Sequence, residues 1–167
     1  MMGIQEDKLK ALLKRALLRV TRTDALWLGE ISKRFGEEVA WEIRNKTTAP
    51  KVFGEWQAKD LKRLLKLGGG VDAIRQAFQH SHWAILEDVE IKKLSKSSLL
   101  FRTRNCSAQR MLLQRIGKEI ECKPGSYLVL ESFVKIIDPT ARIECNFCPP
   151  DPHPEDVFCE WLVIIEG

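Results

Sequence analysis

Cys145-Asn146-Phe147-Cys148-Pro149-Pro150-Asp151-Pro152-His153-Pro154-Glu155-Asp156-Val157-Phe158-Cys159-Glu160-Trp161 holds three of the chain's five cysteines and four of its seven prolines within seventeen residues. On either side of it the chain alternates. Ala141, Ile143, Cys145 and Phe147 fall on one side of an extended segment, and Val157, Cys159, Trp161, Val163 and Ile165 on one side of a second. Two such strands around a proline-rich loop predict an antiparallel hairpin. The symmetric register sets Cys145 opposite Cys159 and Ile143 opposite Trp161. A slip by one residue would turn both apolar faces outward.

Working outward, Cys122-Lys123-Pro124-Gly125 opens a helix whose Val129, Leu130, Phe133, Val134 and Ile137 point inward and which Asp138-Pro139 closes. Before it, Ser107 is placed to cap a helix containing Met111, Leu112 and Ile116, ended by Gly117. Two further strands precede that helix. One starts at Trp83, with Ile85, Val89 and Ile91 on its apolar side. The other, Leu99 to Cys106, sets Leu99, Phe101 and Thr103 against Leu100, Arg102, Arg104 and Cys106, with Ser95-Lys96-Ser97-Ser98 as the turn between them. The back half therefore reads strand, strand, helix, helix, strand, strand.

The front half reads as helices. Leu9, Leu12, Leu13, Ala16, Leu17 and Val20 line one side of an amphipathic helix. Thr23 or Asp24 is placed to cap a second, bearing Leu28, Ile31 and Phe35, and Val39, Ala40 and Ile43 continue it past Gly36. Asn45 to Phe53, with Pro50, reads as a loop. Ala58, Leu61, Leu64 and Leu65 mark another helix that stops at Gly68-Gly69-Gly70, and Asp72 is placed to cap a short one with Ile74, Ala77 and Phe78. The fold class is α+β: a helical region over residues 1–82 packed with a four-stranded antiparallel sheet carrying helices over residues 83–167, as one compact unit.

Residues 1–70 hold 15 Lys/Arg against 9 Asp/Glu, and residues 71–167 hold 12 against 14. In the front the two signs alternate at helical spacing, which describes a solvated face rather than a nucleic-acid stripe. The opening residues lack the pattern of a signal peptide, and no apolar run approaches the ~20 residues that span a bilayer. The expected setting is the cytoplasm, without membrane contact, where five reduced cysteines do not form a disulfide framework.

Cys106, Cys122, Cys145, Cys148 and Cys159 all fall at or near the ends of predicted elements, and His153 shares the proline-rich loop. Thiolate and imidazole suit zinc, and thiolates alone suit an iron–sulfur cluster. After Arg142 the chain has no Lys or Arg and six carboxylates, a setting that disfavours a free thiolate unless a cation is bound. The competing reading is that of small buried hydrophobes, since reduced cysteine is among the most buried residue types. A third use is an organic-ligand pocket beside Arg102, Arg104 and Trp161. A carboxylate or phosphate would pair with the two guanidinium groups, although Trp161 also reads as a core anchor.

Asp24-Ala25-Leu26-Trp27, Cys122-Lys123-Pro124 and the Cys145 to Pro154 segment followed by Cys159-Glu160-Trp161 resemble a prokaryotic cytosolic family of unknown function, over nearly the whole chain. More remotely the layout is similar to four-vinyl reductase and aminothiazoline-carboxylate hydrolase-like proteins, which implies a small-ligand-binding or small hydrolytic role. Three functions follow as expectations. The first is a metal- or ligand-binding protein built on the cysteines. The second is a hydrolase or lyase in which a cysteine or metal-bound water attacks and Glu160, Asp156 or His153 moves the proton. The third is a non-catalytic, homo-oligomeric interaction module.

Overall fold

The computed structural model describes residues 5–166, without the side chains of Arg115 and Ile116, so the side chain of Ile116, named above as part of a helix, lies outside the described residues. The chain divides into two compact units, Met1–Arg44 and Asn45–Gly167. The helices between Ala49 and Leu86 thus belong to the same unit as the sheet.

The first unit contains one long helix, α1 (Glu6–Phe35), and most of α2 (Glu37–Lys46), separated by Gly36 at φ 92°. The break expected at Thr23-Asp24 does not occur. Thr23 Oγ1 donates to the Arg19 carbonyl at 2.9 Å within a continuing helix, and Asp24 accepts from Arg44 Nε at 2.7 Å instead of capping. A hydroxyl that bonds back one turn is compatible with helix, which is why a capping residue in sequence need not cap. No residue of α1 is buried.

In the second unit the expected Asn45–Phe53 loop is helical. α2 runs to Lys46, a π-helical segment spans Ala49–Trp56, and α3 follows over Gln57–Leu64. Pro50 sits in the first turn of that segment, where its missing N–H leaves no bond unmade. Next come α4 (Val71–Gln79) and α5 (His82–Leu86). Gly70, at φ 89°, occupies the α4 N-cap, and Asp72 pairs with Lys93 at 2.6 Å rather than capping. Trp83 and Ile85 lie in α5, not in a strand. The alternation already fails at Glu87, and a single helical turn brings Trp83 against the core: its ring centroid lies 5.4 Å from Phe133 and 5.8 Å from Phe101.

The sheet comprises β1 (Asp88–Lys93), β2 (Ser98–Asn105), β3 (Ala141–Phe147) and β4 (Cys159–Ile165), in the order β1-β2-β4-β3, with every neighbour antiparallel. The α+β class and four-stranded antiparallel sheet are borne out. Between β2 and β3 lie α6 (Ser107–Ile116) and α7 (Lys123–Ile137). Ser107 is the first residue of α6 rather than its cap. Its N–H and hydroxyl both donate to the Glu87 carboxylate, at 2.8 and 2.6 Å, so Glu87 supplies the capping oxygens from the end of α5.

The β3–β4 register differs from the symmetric one by two residues: Cys145 faces Trp161 and Ile143 faces Val163. A two-residue shift keeps the apolar faces inward, so the side-chain pattern alone could not tell the two registers apart. An irregularity between Cys145 and Phe147 shifts the register by one further residue, so that Phe147 faces Glu160, and Cys159 pairs with Thr103 across β2. The core sits between this face of the sheet and α4 and α7. Phe78 stacks on Phe101 and Phe133 at 4.6 and 4.9 Å, beside fully buried Ile74, Leu99, Val134 and Ile137. Asp138 ties the helices together by accepting from the Gly70 N–H at 2.7 Å and from Thr140 N–H and Oγ1 at 2.9 and 2.7 Å.

Candidate functional site

The five cysteines lie on or beside the ends of separate elements. Cys106 precedes α6, Cys122 is the N-cap of α7, Cys145 lies on β3, Cys148 follows it, and Cys159 opens β4. All five are free thiols. Two backbone bonds pin the segments around them: Cys122 N–H donates to Pro149 O at 3.3 Å, and Phe158 N–H to Thr103 O at 2.9 Å. The proline-rich loop is thereby held against the start of α7 on one side and the end of β2 on the other.

Cys148 is fully buried, and its Sγ lies 3.4 Å from that of Cys122. Either sulfur of that pair can be the donor. Cys122 and Cys159, with burial, push Cys148 far up, whereas Cys122 is lowered by Cys148 against the opposing effect of burial. Cys159 is lowered to about 6, first by Cys148 and then, against burial, by Thr103, its partner across β2. Burial pushes Cys106 up to about 12 and Cys145 up to about 11, and negative charge at Cys122 and Cys159 raises both further. Cys122 and Cys159 are therefore the two cysteines biased toward thiolate, the form in which a thiol binds a cation or attacks.

Three residues outside the expected set support those thiolates. Gln109, only 2% exposed, donates from Nε2 to Cys122 Sγ at 3.3 Å and to Ile120 O at 2.8 Å, while its Oε1 accepts from Ile120 N–H at 3.1 Å. Ser126 also favours the Cys122 thiolate, and Thr103 that of Cys159. The reading of α6 named only its apolar residues Met111, Leu112 and Ile116 and missed this, because Gln109 takes the buried position while Met111 is exposed. The available signal was an amide three residues after a cysteine.

His153 stands apart from these bonds. Its Nδ1 lies 2.8 Å from Pro154 O and its Nε2 3.0 Å from Glu119 Oε1. Burial opposes its charge, but the Pro154 carbonyl and Glu119 carboxylate together raise its pKa. Both nitrogens are thus committed to acceptors. Arg102 is likewise engaged by Glu160 and, at 3.4 Å, by Glu90, and Arg104 meets Glu90 at 2.7 Å, forming an ion-pair ladder across β1, β2 and β4. Trp161 is 1% exposed, in the core. As the side chains stand, no group of three or more His, Cys, Asp or Glu among the described residues is set around a metal position. Nor is any described helix long and apolar enough to cross a membrane.

These features define an α+β protein with a helix-covered, four-stranded antiparallel sheet, in which the thiols of Cys122 and Cys148 meet. The chain belongs to a family of unknown function, DUF6125, which matches residues 3–165. That match bears out an uncharacterised family and does not speak to the remoter likeness. No curated protein and no solved structure matches the chain.

Proposed function

We propose that this is a metal-binding protein in which Cys122, Cys145, Cys148 and Cys159 hold one zinc ion as a structural clamp. The observation that carries this reading is the approach of Cys122 and Cys148 to 3.4 Å. Thiolates around one tetrahedral zinc stand about 3.8 Å apart, as follows from Zn–S bonds of about 2.3 Å. The Cys122–Cys148 separation is close to that edge, and ligands of a multi-iron cluster would stand further apart. Replacing the shared proton by a cation lets Cys148 join its neighbours as thiolate; Gln109 supplies an outer hydrogen bond that orients such a ligand, and Ser126 and Thr103 favour the thiolates. Cys145 is the fourth ligand in this reading by its Cys145-x-x-Cys148 spacing, a spacing at which two thiolates can share one ion.

Four thiolates leave no open position, so the ion would act by tying the start of α7, the proline-rich loop and β4 together rather than by activating water. Elemental analysis on protein purified without oxygen or affinity metal tests this. About one zinc per chain is expected, lost in Cys122→Ser and in Cys148→Ser and retained in Cys106→Ser. Chelation should lower the melting temperature of the native protein and leave the Cys148→Ser protein unchanged. Metal-free wild-type protein that also fails to take up added zinc would overturn the reading.

A further inference from the structure

The long helix α1 is the element with the least explanation inside its own chain. Its apolar stripe runs through Leu9, Leu13, Ala16, Leu17, Val20, Trp27, Leu28, Ile31 and Phe35 for 26 residue steps, about 39 Å. Yet Leu9 is 57% exposed, Trp27 66% and Phe35 65%, and no α1 residue is buried. Monomeric proteins rarely leave so long an apolar strip in water.

We propose that this stripe pairs antiparallel with the same stripe of a second copy of the chain. The stripe is complementary to itself when reversed. Aligning two copies so that the residue numbers across the pair sum to 44 sets Leu9 against Phe35, Leu13 against Ile31, Ala16 against Leu28 and Leu17 against Trp27, with the small Ala16 meeting a large side chain.

Charge selects the same direction. Lys8, Lys10, Lys14, Arg15, Arg19 and Arg22 include no carboxylate among or between them. A parallel pair would set these six cations against six, whereas the antiparallel pair sets them along residues 22–36, where Asp24 and Glu30 offset two of the three cations Arg22, Lys33 and Arg34, at the cost of setting Lys10 against Arg34 and Arg22 against its own copy. Lys14 then faces Glu30 of the second copy. Asp24, on the stripe itself, is already met by Arg44 of its own chain at 2.7 Å, so the pairing does not bury an unpaired carboxylate.

Sedimentation of the full-length protein across micromolar concentrations tests the pairing. Wild type is expected at twice the 19.2 kDa chain mass. Leu13→Lys and Ile31→Lys, on opposite halves of the stripe, should each give a single chain of unchanged helical circular dichroism. A nitroxide carried by a noncanonical residue at position 8 should report roughly 40–50 Å between copies, since that position lies 14 residues from the pairing centre in each helix. Wild type at single-chain mass throughout would overturn the proposal, as would single-chain protein that binds phosphatidylglycerol vesicles, which would assign the stripe to lipid. A distance below about 20 Å would overturn the antiparallel arrangement. Since no cysteine lies in α1, these outcomes are independent of metal content.

Discussion

Helices α1 and α7 invite comparison, because both alternate apolar and polar residues at helical spacing and only one of them is satisfied. α7 buries Gly125, Val129, Leu130, Phe133, Val134 and Ile137 beneath the sheet within 15 residues, whereas α1 runs 30 residues and buries nothing. The pattern of a helix says that it has an inward side. It does not say whether the partner is in the same chain. What distinguishes the two is the surroundings: α7 is followed directly by a strand of the sheet it covers, and the π-helical segment packs along it so closely that a Cβ on Gly54 would stand 2.7 Å from Val129 O.

The sharpest way to break this contrast is to remove the centre of one helix and compare it with an outward residue of the other. Phe133→Ala deletes a ring stacked on Phe78 and should cost about 3–5 kcal/mol, read as a lowered urea midpoint. Leu26→Ala in α1, at a position 75% exposed and off the stripe, should change stability by no more than ~0.5 kcal/mol. Equal losses would mean that α1 is as much part of a core as α7.

Glycine gives the next largest difference, with opposite signs in the two units. Gly54→Ala would drive its Cβ into Ser132 Oγ and onto Val129 O and should destabilise by about 2–3 kcal/mol. Gly29→Ala meets nothing within 4 Å in the middle of α1 and should stabilise by about 0.5–1 kcal/mol. A neutral Gly54→Ala would show that the π-helical segment does not hold α7 closely in solution.

Acid should act through the second unit, which contains all three histidines. Burial lowers His82 to about 4, while its Nδ1 lies 2.9 Å from Gln57 Oε1 and its ring packs against Phe53 and Trp83. The folded value is below the unfolded one, so this contribution is complete above pH 6.5 and is lost as pH falls toward 4. Stability should decline over that window by about 2 kcal/mol, allowing for the partial exposure of the side chain. The decline should be absent in His82→Gln. An unchanged slope in that variant would assign the acid response elsewhere.

The parts of this fold legible in sequence were those decided by one face of one element. The inward residues of β2, β3, β4 and α7 stand where alternation and helical spacing put them, because burial acts on each directly. The illegible parts depended on neighbours. The β3–β4 register is fixed by pairing on both edges of β4, and Cys159 finds Thr103 rather than Cys145. The convergence of Cys122 with Cys148 follows from where α7 starts, not from the local pattern, and Gln109 became a thiol-positioning residue only once Cys122 lay beside it. Arg102 and Arg104 were recognisable as sharing a face, but their carboxylate partners sit on two other strands.

Asp138 gives the smallest expected effect and separates the two kinds of helix ending. Gly36 ends α1 with its own N–H bonded to Ser32 O, a local closure, whereas Asp138 at the end of α7 accepts from Gly70 at the start of α4 and from Thr140 beyond the turn. The Thr140 hydroxyl first, then the backbone N–H groups of Thr140 and Gly70, hold its carboxyl below the usual carboxylate range despite some burial. A depressed folded pKa means that the contribution is present above the unfolded value near 4 and disappears as pH falls below it. Asp138→Asn keeps an acceptor but loses the charge and one oxygen, so it should cost about 1 kcal/mol at neutral pH and converge with wild type in strong acid. A cost that persists unchanged in acid would mean that Asp138 acts by shape alone, and α7 would then end as locally as α1 does.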